Sequence, residues 1–309
     1  MYRPLHDYCR LGIVHSMAFP ESVKNEAKFI ATLQHILQDD FFEIVETGHM
    51  PFPSLRETVP QMIKTAHMDL TYCGHSLLFA ADANINAIEE DERSRAVAVL
   101  KGGIDEAYEF GALDFQFLSR RFDPNTIDKH LDALVCSTIE LCEYAKQKGD
   151  MPVCLEIFDH DIDKRSLIGP SHLAKRYVEA VKEQVDNFGL MVDCSHIPML
   201  HETIDASLDP IANHIIHAHM GNTIIADPTH RYYGDTHPGF GYPGSENDME
   251  YLAEYLQKLL DVGYLDRCRR PVLSFEVKPQ GDEDPLKVVA NAKRTLRDAW
   301  RIVESKGDE

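Results

Sequence analysis

Short apolar runs alternate along the chain with longer segments whose apolar residues recur at helical spacing. The short runs are Leu11–Met17, Phe41–Glu46, Leu70–His75, Leu113–Ser119, Pro152–Ile157, Leu190–Asp193, His214–His219 and Pro271–Glu276, eight in all. They are rich in Val, Ile, Leu and Phe, as strands buried on both faces are. The longer segments are Glu21–Gln38, Arg93–Phe110, Thr126–Lys148, Leu173–Asn187, Glu246–Val262 and Pro285–Ser305. Val23, Ala27, Ile30 and Leu37 mark one face of the first, and Trp300 sits on the apolar face of the last. Gly111 and Gly149 stand where two of these helices would close.

Strands alternating with helices predict parallel strands joined by right-handed crossovers. Eight such units predict an α/β chain folded as a (β/α)8 TIM barrel, a single domain over residues 1–309 with a long loop after the seventh strand at about 220–245. The alternative is an open doubly wound sheet. That fold carries a glycine-rich turn after its first strand, and LGIVHSMAF has no GxGxxG; no P-loop appears anywhere.

Composition narrows the function classes. The chain has 309 residues, 31 Lys plus Arg against 51 Asp plus Glu, and a formal net charge of −20. With 44% hydrophobic residues it can bury a large core. The negative balance argues against nucleic-acid or anionic-membrane partners, which need clustered basic residues. The start, MYRPLHDYCRLG, lacks the apolar stretch of a secretory signal, and no apolar run is long enough for a membrane span. Seven scattered cysteines without a CxxC pair do not form a disulfide framework, so a reducing, cytoplasmic setting is expected. Cys136 and Cys142 read as core residues of a helix.

In a barrel, chemistry sits where strands end. The fifth run, PVCLEIFDHD, puts Glu156 there; the sixth, LMVDCSHIPM, puts Asp193 there with His196 three residues on. The seventh, HIIHAHMGN, carries His217 and His219 on one face, and the eighth, PVLSFEVKP, ends on Glu276. Three carboxylates in one mouth would cost several kcal/mol each without a compensating cation. A divalent ion supplies that charge: Mn²⁺ first, with Mg²⁺, Co²⁺, Fe²⁺ or Zn²⁺ as alternatives. A closed structural zinc site is disfavoured, because no cysteine joins the set. Between the two histidines, His219 is favoured as ligand because it lies nearer the rim.

The runs LEIFD, VDCSH, IIHAHMGN and LSFEVK on strands five to eight resemble the xylose-isomerase-like TIM-barrel superfamily over essentially the whole chain. The resemblance implies metal ligation by Glu156, Asp193, His219 and Glu276, substrate contact by His196, and proton shuttling by Glu156 and Glu276. There are departures. Members acting on ketohexoses carry an Arg just beyond the ligand His, where this chain has MGNTIIAD. Asp235 and His237, in the loop DPTHRYYGDTHPGFGYPG, and His75, closing the third run, resemble metal residues of the AP-endonuclease branch, but the fourth strand offers no matching histidine. All three are taken first as substrate-facing, with an auxiliary metal site or a simple loop-bracing pair as the alternatives for Asp235 and His237.

An ion of this kind acidifies a sugar next to its carbonyl, and two carboxylates can remove and return the proton through an enediolate held by the ion. The leading expectation is thus a divalent-metal-dependent sugar isomerase or epimerase. The alternative is a metal-dependent lyase on a keto-sugar, similar to 3-keto-C-glycoside-cleaving enzymes or inosose dehydratase, the former working with a small partner subunit. The DIDK loop and the YGDTHPGFG loop would suit a substrate bulkier than a free ketose. A sugar-binding protein on a degenerate barrel would lack a ligand, and none is missing. The partner is a small-molecule carbohydrate, and a homo-oligomer is expected.

Arg120, His160, Lys164 and Lys278 are further substrate-binding candidates. His15, Glu46 and His49 are candidates to line the pocket, with Phe19, Phe79, Phe240 and Tyr242 as apolar walls. No GxSxG elbow supports nucleophilic hydrolysis.

Overall fold

The computed structural model describes residues 3–306. Eight parallel strands close in sequence order: β1 (Arg10–Val14), β2 (Ile44–Gly48), β3 (Asp69–Cys73), β4 (Phe115–Leu118), β5 (Val153–Glu156), β6 (Phe188–Asp193), β7 (Ile215–Gly221) and β8 (Val272–Glu276). The fold is a single-domain (β/α)8 TIM barrel, as the alternation predicts; residues 1–2 and 307–309 of the expected 1–309 domain lie outside the described residues. The open-sheet alternative is excluded by the pairing of β1 with β8.

Helices Glu26–Leu37, Glu90–Phe110, Ile127–Lys146, Ser171–Lys182, Met249–Asp261 and Pro285–Lys306 match the periodic segments. Local chemistry trims their ends. Asn25 caps the first by accepting from the Lys28 N–H, and Asp248 does the same for Tyr251. Gly111 takes the left-handed conformation (φ 70°) that closes the helix before it. Gly149 does not act as a C-cap: its helix closes at Gln147, and the Tyr108 ring packs on Gly149 instead. Helix Leu55–Thr65 went unpredicted, since Pro60 breaks its pattern. The β6–β7 crossover holds only short helices, including His196–Met199 and Ile204–Leu208. His15 and His75 begin short helices after β1 and β3 rather than ending strands.

Two layers of side chains follow from strand alternation. Outward residues such as Tyr72, Phe115, Phe117, Leu155 and Phe275 are buried beneath the helices. Inward residues are largely polar: Glu46, Gln116, Glu156, Asp193, His217, His219 and Ser274 are all buried. All seven cysteines are free; Cys142 is buried, but Cys136 is exposed and so is not the core residue expected. Among the described residues no helix is long and apolar enough to cross a membrane.

Phe275 is fully buried and meets Phe41, Phe42 and Phe240 at ring separations of 6.3, 6.3 and 6.4 Å. Phe275→Ala is expected to lower stability by about 3–5 kcal/mol, read from denaturant unfolding. A loss under 1 kcal/mol would show that this cluster does not anchor β8.

Candidate metal centre at the barrel mouth

Register brings the four expected ligands together. Asp193 on β6 pairs laterally with His219 on β7, while Glu276 on β8 pairs with Gly221, two residues beyond His219. Barrel stagger brings Glu156, the last residue of β5, to the same level. One donor atom from each of Glu156, Asp193, His219 and Glu276 lies within 4.8 Å of all the others. Gly221 leaves the space between them open. A Cβ there would sit 2.7 Å from His237 Nδ1 and 3.0 Å from both Asp193 carboxylate oxygens.

The set fits a cation. Glu156 Oε1 and Asp193 Oδ2 are buried without a hydrogen-bond partner. His75 Nε2 lies 3.2 Å from Glu156 Oε2 but lacks hydrogen-bond geometry. Burial, then the charge of Glu276, pushes Glu156 up to about 8, the behaviour of a carboxylate missing its counter-charge. Burial would raise Glu276 too, but His237 and His219 outweigh it and hold Glu276 low. His219 Nδ1 is 2.8 Å from Glu276 Oε2.

His196 and the loop pair Asp235 and His237 form the wall above. Asp235 Oδ1 lies 3.2 Å from His196 Nε2 and 2.7 Å from His237 Nε2, and Oδ2 accepts from Lys164 Nζ at 2.9 Å. The other His196 nitrogen, Nδ1, is 2.7 Å from the Ile157 carbonyl. His237 adopts a left-handed backbone (φ 50°), uncommon for a non-glycine residue, and its carbonyl accepts from the Lys278 N–H at 2.6 Å.

A cavity of about 320 Å³ opens above the centre, lined by His75, His219, Asp235, His237, Glu276, Lys164 and Lys278 with Phe79 and Phe158 as apolar walls. Other expected lining residues lie elsewhere. Arg120 donates to the Ala83 carbonyl and stacks on Phe79, which separates it from the cavity. His160 stacks on Phe122, with Nδ1 3.0 Å from the Ser166 carbonyl, and braces its own loop. His15 faces Thr32, and Phe19 packs on His15 and His35. His49 pairs with Glu106. Phe240 and Tyr242 line a separate outer cleft. Glu46 lies beneath the cavity, bonded to His217 and His219. Sequence reasoning missed Gln116, Asp114 and Phe158. A glutamine inside the apolar run FQFL was the one available signal for the floor.

His196, His237 and His217 are held above the usual imidazole range, to about 10, 9 and 9. Burial opposes each rise, and the facing carboxylates Asp235, Glu276 and Glu46 respectively outweigh it. A folded value above the unfolded 6.5 gives stability complete below that pH and lost as pH rises toward 9–10. Glu156 acts in the same direction between 4.5 and about 8. The melting temperature of the ion-free protein should therefore fall from pH 7 to pH 10, and less steeply in His196→Gln. A flat calorimetric profile would contradict these assignments.

Solved structures share this barrel. A D-tagatose 3-epimerase-like protein superposes with a TM-score of 0.70 at 18% identity, covering 96% of this chain and 99% of that one. A 3-keto-D-glucoside 4-epimerase from E. coli gives 0.67 at 16% identity, over 94% of this chain and 99% of that one. The IolI protein with a bound zinc atom gives 0.70 at 16% identity, over 94% and 97%. Likeness at such identities establishes the fold alone. No curated protein sequence matches. Residues 40–299 match the xylose isomerase-like TIM barrel family, and the chain belongs to that family.

Proposed function

We propose that the chain is a divalent-metal-dependent sugar isomerase or epimerase. The observation that carries this reading is the convergence of three carboxylates and an imidazole, two of the carboxylate oxygens unpartnered, beside a small cavity that His219 and Glu276 line. Glu156, Asp193, His219 and Glu276 would hold the ion. Bound there, a divalent ion polarises a carbonyl and lowers the pKa of an adjacent hydroxyl.

The rest falls to the chain's own groups. Glu276 stays ionised and borders the cavity, placed to take a proton from the carbon beside a substrate carbonyl; the C–H electron pair then moves into an enediolate. Glu156, on β5, stands across the barrel to exchange a proton on the opposite face. Their opposite displacements suit one base and one acid. His237, gripped by Asp235, and Lys278 line the cavity to meet substrate hydroxyls, while His196, with both nitrogens engaged by Asp235 and the Ile157 carbonyl, holds Asp235 in place instead of touching substrate. Phe79 and Phe158 exclude water from one side. The cavity lies at the small end of the range of ligand sites, about 300–1,000 Å³, which suits a monosaccharide.

The similar structures named as epimerases of tagatose type, of ribulose and of a 3-keto-glucoside support a sugar substrate. The IolI structure, which shares this barrel, holds a zinc atom, and this supports a metal-binding role for the chain. Manganese is the expected ion on its preference for oxygen-rich sites. No observation favours elimination over reprotonation, so the lyase alternative is set aside.

The test is turnover in D₂O on D-tagatose, L-ribulose and 3-keto-D-glucoside. Manganese-loaded protein should place one deuteron at the rearranged carbon. Chelation should abolish turnover, and Mn²⁺ or Co²⁺ should restore it. Glu156→Gln and Glu276→Gln should each lower kcat by about 10²–10⁴-fold. Full activity in metal-free protein, or rearrangement without deuterium uptake, would overturn the proposal.

A further inference from the structure

Beneath the candidate metal centre the barrel interior holds a second layer of charged groups. Glu46 reaches in from β2, on the far side of the barrel from β7, and is fully buried. Its Oε1 lies 2.9 Å from His217 Nε2. Its Oε2 accepts from Gln116 Nε2 at 3.1 Å and lies 3.2 Å from His219 Nε2. His217 Nδ1 is 2.8 Å from Asp114 Oδ2, and Gln116 Nε2 donates to Asp114 Oδ1 at 3.0 Å.

The protons in this layer follow from the geometry. His217 is held between two carboxyl groups, its Nε2 toward Glu46 and its Nδ1 toward Asp114, with the Gln116 amide 3.3 Å from Nδ1. Glu46 is a carboxylate ringed by donors, able only to accept. The His219 nitrogen that faces it must bear a proton. That leaves Nδ1, which lies 2.8 Å from Glu276 Oε2, as the nitrogen available to the ligand set.

We propose that Glu46 is a positioning residue that fixes the ring of His219 from below, holding Nε2–H so that Nδ1 faces the ion. The proposal rests on the reading that Glu156, Asp193, His219 and Glu276 hold a divalent ion. It extends the reach of the centre to a residue on the opposite wall and, through His217, to Asp114. Glu46, His217 and His219 also offer donor atoms within 4.8 Å of one another. They do not form a second ion site. Every polar atom of the three has a partner, whereas Glu156 Oε1 and Asp193 Oδ2 in the layer above do not. A carboxylate behind a metal-bound imidazole sets its tautomer and orientation, and removing one typically weakens metal affinity 10–100-fold.

The test uses the whole chain labelled with ¹⁵N-histidine and loaded with Zn²⁺, the His219 signals being assigned by their loss in His219→Asn. The expected spectrum shows a zinc-shifted Nδ1 and a protonated Nε2 for His219. In parallel, chelator competition should give Glu46→Gln a Zn²⁺ affinity 10–100-fold below that of the native chain, with the far-ultraviolet spectrum of the ion-free protein unchanged. Zinc on Nε2, or native affinity in Glu46→Gln, would overturn the positioning role while leaving the metal centre standing. Absence of any zinc effect on His219 in the native chain would overturn the metal reading and this one with it. Should Glu46→Gln fail to fold, the spectrum of the native chain decides alone.

Discussion

The structure is organised around negative charge concentrated where water is scarce. Glu156, Asp193 and Glu276 bring carboxylate oxygens to within 4.8 Å of one another at the end of a closed barrel. Placing such charges in low dielectric costs several kcal/mol per ion unless each finds a counter-charge. Around this centre the chain supplies counter-charges unevenly: His219 and His237 face Glu276, while Glu156 Oε1 and Asp193 Oδ2 have no hydrogen-bond partner. Below, His217 stands between Glu46 and Asp114. Above, Asp235 is matched by His196, His237 and Lys164. Between the two layers, no lysine or arginine reaches Glu156, Asp193 or Glu276 among the described residues. Histidines face Glu46 and Asp235, whereas Glu156 Oε1 and Asp193 Oδ2 are left without hydrogen-bond partners, and on that contrast the proposed ion site rests.

The local backbone accommodates the same constraint. Gly221 pairs with Glu276 at the rim, and any side chain on it would push into Asp193 and His237. Gly12 does the equivalent lower down, since a Cβ there would fall 2.2 Å from Ser274 Oγ. Both glycines occupy inward positions on strands, where they cost conformational entropy and contribute no packing. Their presence is explained by what their neighbours need. The left-handed His237 belongs with them: the loop is held in an uncommon conformation so that both its imidazole and the Asp235 carboxylate turn into the cavity.

Much of this was legible in the sequence because strand ends are local features. Glu156, Asp193 and Glu276 each close an apolar run, and the two-residue spacing of His217 and His219 fixes their shared face without knowledge of the fold. What escaped was lateral. Gln116 lies on β4, Glu46 on β2 and His217 on β7, so their bonds cross the barrel interior and depend on the shear that sets one strand against another. No spacing along the chain encodes that shear. Loop residues failed for a different reason. Arg120 and His160 follow strands as rim residues should, but a flat cationic or imidazole ring gains as much from stacking on Phe79 or Phe122 as from facing solvent. Which way such a side chain turns is decided by an aromatic neighbour distant in sequence.

The division of the interior into a closed lower layer and an open upper one bears on selectivity. The lower layer is satisfied by hydrogen bonds and held rigid by groups from β2, β4 and β7, so His219 is carried on a fixed support. In the upper layer Glu156 Oε1 and Asp193 Oδ2 lack hydrogen-bond donors, while Glu276 Oε2 faces His219 Nδ1 at 2.8 Å and Asp193 Oδ1 accepts from the Ser195 N–H at 2.7 Å. On the proposed reading, a set of one imidazole and three carboxylates would suit oxygen-seeking divalent ions better than a closed, cysteine-rich zinc site. Vacant positions on such an ion are what a sugar's carbonyl and hydroxyl oxygens require. On the proposed reading, the charge asymmetry that would hold the ion lies beside the cavity of about 320 Å³ that would take the substrate.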